Sequence, residues 1–260
     1  MRFLLTNDDG IYAKGLSALY QELSKDADCL IVAPEIEQSA VGHAITIFRP
    51  LMVRKARKDG HFLGYAVAGT PADCVKIGIR ELSDKPVDLV ISGINRGANV
   101  GINVIYSGTV SAATEGAIMG VPSMAISLDS YDSNADFSVA AKFARKMAAF
   151  LLEDHTKENI PININVPALP ENDIKGLVVA KQGRARLIES YERRVDPREN
   201  IYYWLTGETQ ISDREDPYSD ACALRQGLIT ITPIHYDLTR HDVLADLSAR
   251  LKMENIQRDL

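Results

Sequence analysis

Cysteine is scarce in this chain: Cys29, Cys74 and Cys222 are odd in number and far apart. No Cys-x-x-Cys spacing occurs, so neither a disulfide framework nor a structural zinc site is expected, and buried thiols in a reducing compartment fit better. Long apolar runs are also missing. None approaches the roughly 20 residues of a membrane-spanning helix, and the amino terminus has no charged segment leading into an apolar stretch and a cleavage site. A cytoplasmic protein with no membrane partner is the expectation. Excess positive charge is absent too, since 29 Lys and Arg face 35 Asp and Glu for a net charge of −6. Binding to a nucleic acid duplex, which needs clustered cations, is thereby disfavoured. No Gly-x-Gly-x-x-Gly follows the first apolar run, which argues against a dinucleotide oxidoreductase. With no repeat, low-complexity tract or linker in its 260 residues, the chain reads as one domain, 1–260, long enough to bury its own core.

What is present begins at Arg2-Phe3-Leu4-Leu5-Thr6, a strand-length run that stops at Asn7-Asp8-Asp9-Gly10. Two adjacent carboxylates at the carboxyl end of a buried parallel strand would repel each other unless a cation held them. An Asx turn serving only the backbone is the competing reading. Leu16, Leu19, Tyr20 and Leu23 then recur at helical spacing before a second short strand, Cys29 to Pro34. Its exit loop carries Ser39. Ile45 to Phe48, Leu51 to Val53 and Gly64 to Val67 are expected as strands, with charged Arg54 to Asp59 as a solvated hairpin end. Thr70-Pro71-Ala72-Asp73 opens a helix with a capping box.

Val87 to Ser92 is nearly continuously apolar, as doubly covered parallel strands are. It empties into a loop from Gly93 to Gly101 whose glycines permit close approach to a ligand. Ser107-Gly108-Thr109 precedes an Ala-rich helix from Val110 to Met119, where unpaired amides could take an anion or merely be capped. A strand from Met124 to Leu128 and a helix from Phe137 to Glu153 follow. From Ile162 onward the pattern turns to strands at Ile162 to Val166, Leu177 to Ala180 and Ile201 to Leu205, with Glu192 to Asn200 as a charged turn. Gly227 to Pro233 is another strand, and the spacing predicts a helical tail from His241 to Leu251. The fold class is therefore α/β: a Rossmann-like, doubly wound, mostly parallel sheet with an antiparallel β excursion and a carboxyl-terminal helical tail.

In such a sheet the strand ends gather on one edge, so Asp8 with Asp9, Ser39, Asn95 with Asn99, and Ser107 to Thr109 could converge on one metal and one phosphate. Two carboxylates, a hydroxyl and an amide form an oxygen-only set suited to Mg²⁺, Mn²⁺ or Ca²⁺. A zinc deacetylase would need histidines near Asp8, and none is close in sequence. An aspartyl-nucleophile phosphatase would want its aspartates one residue apart.

The chain resembles the SurE family of survival-protein nucleotidases. The resemblance rests on Thr6 to Gly10, Ala33-Pro34 with Gln38 to His43, Gly69 to Val75, Ser92 to Asn99 and Tyr106 to Thr109. It implies a metal-dependent phosphatase that hydrolyses nucleoside 5′- and 3′-monophosphates, and in some members short polyphosphate. One divalent cation per subunit would be held by Asp8, Asp9, Ser39 and Asn95, the first two being catalytic through it. Asn95 and Asn99 would supply amide donors, and Ser107, Gly108 and Thr109 would hold phosphate on backbone amides without touching the metal. A nucleotide sensor that binds without turnover is the alternative. His235 is a candidate acid or base by type, against a structural role. The resemblance also implies a homodimer or homotetramer assembled through 176–260, which holds the β excursion and the tail.

Overall fold

The computed structural model describes residues 1–153, 159–210 and 216–253. Its elements in chain order are β1 (Arg2–Thr6), α1 (Lys14–Leu23), β2 (Asp28–Pro34), β3 (Val53–Lys58), β4 (His61–Val67), α2 (Pro71–Ile77), β5 (Leu89–Arg96), α3 (Gly108–Ile118), β6 (Ser123–Asp129), α4 (Ser138–Glu153) and β7 (Ile162–Pro167). Then come β8 (Leu177–Val179), β9 (Arg186–Val195), β10 (Ile201–Gln210), α5 (Asp220–Arg225), β11 (Ile229–Pro233) and α6 (Leu244–Met253).

Successive side chains of a strand point to opposite faces, and this alternation divides the core in two. Phe3 and Leu5, Ile31 and Ala33, and Leu89 and Ile91 pack on one face with Leu16, Leu19 and Leu23 of α1 and Ala140 and Ala144 of α4. Leu4, Leu30, Val32 and Val90 pack on the other, against Cys74 and Val75 of α2 and Ala112 of α3. Both faces are thus covered. The sheet runs β3-β4-β2-β1-β5-β6-β7-β11-β8, parallel from β4 to β7. Its antiparallel pairs are β3 with β4 and β11 with β7. The order reverses beside β1, which places the end of β1 at a topological switch point where such sheets bind ligands.

The doubly wound sheet, the antiparallel excursion and the helical tail are as expected, whereas three local expectations need correction. Ile45 to Phe48 is not a strand: Thr46 is bonded to Asp73 through both its amide and its hydroxyl, and Phe48 is fully exposed. Arg54 to Lys58 is itself strand, on the sheet edge, where exposed cations discourage further pairing. Glu192 to Val195 extends β9, so that β9 and β10 form a separate two-stranded ribbon. Residues 211–215 and 254–260 of the expected assembly region lie outside the described residues. Among the described residues no helix is long and apolar enough to cross a membrane.

Candidate active site

The site starts from the turn after β1. Asn7 is fully buried, and its Nδ2 donates to the Gly10 carbonyl at 2.9 Å. Gly10 takes φ +96°, a backbone that side chains disfavour. This turn sets Asp8 and Asp9 at the sheet edge. The loop after β2 is pinned against it, because the Gln38 amide donates to the Asp8 carbonyl at 2.7 Å. A cavity of about 870 Å³ opens there, lined by Asp8, Asp9, Ser39, Asn95, Asn99 and Ser107 among others. All four residues expected to hold a cation therefore face one space.

Asp8 is buried, and burial pushes its carboxyl up to about 6; a hydrogen bond from Thr109 opposes this, and the charge of Asp9 adds to it. The Thr109 hydroxyl donates to Asp8 Oδ1 at 2.5 Å, within the short range of hydrogen bonds to a charged acceptor. Asp9 is also raised, mainly by burial; Arg96 opposes the shift and Glu37 adds to it. Ser39 Oγ donates to Glu37 Oε1 at 2.6 Å. Asn95 donates from Nδ2 to the Gly97 carbonyl at 2.8 Å, which leaves its side-chain oxygen as the group suited to a cation. Desolvated carboxylates that repel one another, with hydroxyl and amide oxygens on the same wall, fit a hard divalent ion. Among the described residues there is no group of three or more His, Cys, Asp or Glu placed to hold a metal ion.

Several expected residues take up other contacts. Ser107 is the N-cap of α3, its Oγ accepting from the Val110 amide, and it lines the cavity. Thr109 is bonded to Asp8, and a Cβ on Gly108 would lie 2.9 Å from Asp8 Cβ. Thr109 therefore supports the carboxylate that was expected to be independent of it, and Gly108 leaves room beside that carboxylate. Asn99 turns its Nδ2 inward to Ser127 Oγ at 2.9 Å, while Asn163 and Asn165 donate to its carbonyl. His235 is not brought to the cavity: it is exposed, accepts the Asp237 amide proton at Nδ1 and stacks on Tyr236. Sequence reasoning missed Glu37, Arg96, Tyr106 and Tyr131, and the hairpin residues Arg186 to Glu189, all at the cavity. Glu37, Arg96 and Tyr106 had a signal in their positions, two residues before Ser39, next to Asn95 and next to Ser107.

Fold and site together define a doubly wound α/β protein with an oxygen-rich, carboxylate-bearing cleft at the switch point of its sheet. The family described as Survival protein SurE matches residues 3–189. A 5′-nucleotidase SurE of Syntrophus aciditrophicus is 71% identical over 254 residues, covering 98% of this chain and 95% of that protein. One of Syntrophobacter fumaroxidans is 51% identical, over 95% and 98%. The crystal structure of the Sure protein from Aquifex aeolicus superposes with a TM-score of 0.81 at 37% identity, covering 96% of this chain and 99% of that one. The chain belongs to the SurE family.

Proposed function

We propose that the chain is a nucleotidase that releases phosphate from nucleoside 5′-monophosphates with the help of a divalent cation held by Asp8, Asp9, Ser39 and Asn95. The observation that carries this reading is the meeting of those four groups with the amino end of α3 in one cavity. The name 5′-nucleotidase borne by the similar proteins supports it. When bound, such a cation supplies Lewis acidity and neutralises phosphate charge. The chain's own groups do the rest. Thr109 fixes the orientation of Asp8 through Oδ1. The amino end of α3 beside Ser107 turns the positive end of the helix dipole toward phosphate, and Arg96 adds positive charge to the same wall. Tyr106 and Tyr131, both exposed at the cavity, provide aromatic surface for a nucleobase.

The reading extends to cytoplasmic location and to a homodimer or homotetramer. High thiol pKa values at Cys29, pushed up to about 12 by burial, and at buried Cys74 keep those groups protonated and inert. Phosphate release from nucleoside 5′- and 3′-monophosphates, measured with and without EDTA, tests the function. Turnover should need the metal, favour the 5′ ester and vanish in Asp8→Asn. Binding of nucleotide without any phosphate release would instead favour a sensor.

A further inference from the structure

We propose that the root of the β9–β10 hairpin is the wall that selects substrates by what lies beyond the phosphate, and that buried Asp220 is the positioning residue that holds it there. This rests on the nucleotidase reading above. The hairpin pairs with no other strand among the described residues, and a lone two-stranded ribbon is marginally stable in water. Yet Arg186, Leu187, Ile188, Glu189 and Leu205 line the same cavity as Asp8 and Asp9. Something must fix that wall.

The fixing point is a clasp between the hairpin root and the stretch after β5. Asp220 is fully buried. Its Oδ2 accepts from the Gly101 amide at 2.9 Å and its Oδ1 from the Gly183 amide at 2.9 Å, with the Ala221 amide adding a third bond. One carboxylate thus joins two segments far apart in sequence. Gln182 Nε2 donates to the Gly101 carbonyl at 2.8 Å and the Ile102 amide to the Ala185 carbonyl at 2.7 Å. Gly101 is required for the fit, since a Cβ there would lie 2.3 Å from the Ala185 oxygen. Val100, Ala185, Ala221 and Leu224 pack beneath as a small apolar cluster.

The catalytic groups come from the edge of the large sheet, whereas this wall comes from a separate ribbon, so the two can be perturbed separately. A phosphomonoester with a large leaving group touches both, and a small one needs only the first. Binding energy drawn from the remote part of a substrate is lost when its wall is loosened.

The test compares a nucleoside 5′-monophosphate with p-nitrophenyl phosphate as substrates of wild type, Asp220→Asn and Gln182→Ala. Asp220→Asn places amide protons opposite backbone amides and should raise KM for the nucleotide at least ~10-fold, with kcat within ~3-fold. The kcat/KM for p-nitrophenyl phosphate should stay within ~2-fold. Gln182→Ala, an exposed and gentler change, should move the nucleotide KM in the same direction by ~3-fold. Equal losses on both esters, or no change on either, would overturn the proposal. If Asp220→Asn does not fold, the Gln182→Ala comparison decides by the same criterion. If wild type hydrolyses neither ester, the nucleotidase reading fails on its own, and calorimetry with nucleoside monophosphate and with inorganic phosphate decides the clasp. Weakening confined to the nucleotide supports it, and any other pattern refutes it.

Discussion

Asp8 is the residue on which metal, acidity and stability meet. Without a cation its carboxyl titrates near 6, above its ordinary value of 3.8, so the folded state holds the proton more tightly than the unfolded state. The sign follows: the metal-free protein loses stability as pH rises from about 4 through about 6, by at most ~3 kcal/mol. In chelator, Asp8→Asn should lack this fall and melt higher than wild type at pH 7, with the difference shrinking toward pH 4. Parallel melting profiles across that range would contradict it. Thr109→Ala tests the same carboxylate from outside. Removing the hydroxyl from Asp8 Oδ1 should weaken metal binding by roughly 10–100-fold, as losses next to a ligand do, and calorimetric titration of the metal measures it. The paired aspartates were legible because their repulsion is a property of adjacent residues. The Thr109 contact was not, because it joins positions 101 residues apart and a Ser-Gly-Thr at a helix start looks the same whichever way its hydroxyls turn.

At the scale of elements, the loop between β2 and β3 shows what local pattern can and cannot reveal. Its apolar Ile45 and Ile47 alternate as a strand's would, yet no strand partners them, and they are exposed. The loop is instead fastened at points along its length. Thr70 Oγ1 donates to the Ala44 carbonyl, Asp73 accepts from Thr46, and His43 Nε2 lies 2.8 Å from Glu115 Oε2. The capping box of α2 was legible because Thr70, Pro71 and Asp73 lie within four residues. Asp73's second duty to the loop was not. Glu115, buried in α3, also accepts from Lys76 at 2.7 Å. Burial pushes its carboxyl up, but the bonds from His43 and Lys76 prevail and hold it below its ordinary value of 4.5. The stabilisation it gives is therefore present above pH 4.5 and is lost as pH falls below that. Glu115→Gln should cost about 1.5–3 kcal/mol at pH 7, and its deficit in denaturant melts should narrow on acidification. A deficit that is constant with pH would mean that the charge is not what fastens the loop.

At the scale of the molecule, the doubly wound sheet and its two-faced core were legible because nearly continuous apolar strands call for a layer on both faces. The far wall of the cavity was not, since its residues come from a ribbon that pairs with no strand of the large sheet among the described residues. That ribbon leaves exposed apolar surface on both of its strands. Tyr191, Val195, Ile201, Tyr203, Trp204 and Leu205 are all more than half exposed, and in a two-stranded ribbon neither face has a layer to cover it. A patch of this kind, rich in aromatics, has the composition of an interface core. The expected outcome is a homodimer or larger assembly in light scattering at micromolar concentration. Trp204→Asp with Tyr203→Arg would place charges where the partner's apolar surface should lie, and should shift the species to monomer without lowering the helical content seen by circular dichroism. Because Leu205 also lines the cavity, loss of the assembly should raise the nucleotide KM more than it lowers kcat. A wild-type protein that stays monomeric across the concentration range, or a variant pair that assembles normally, would leave this ribbon without the covering role its surface calls for.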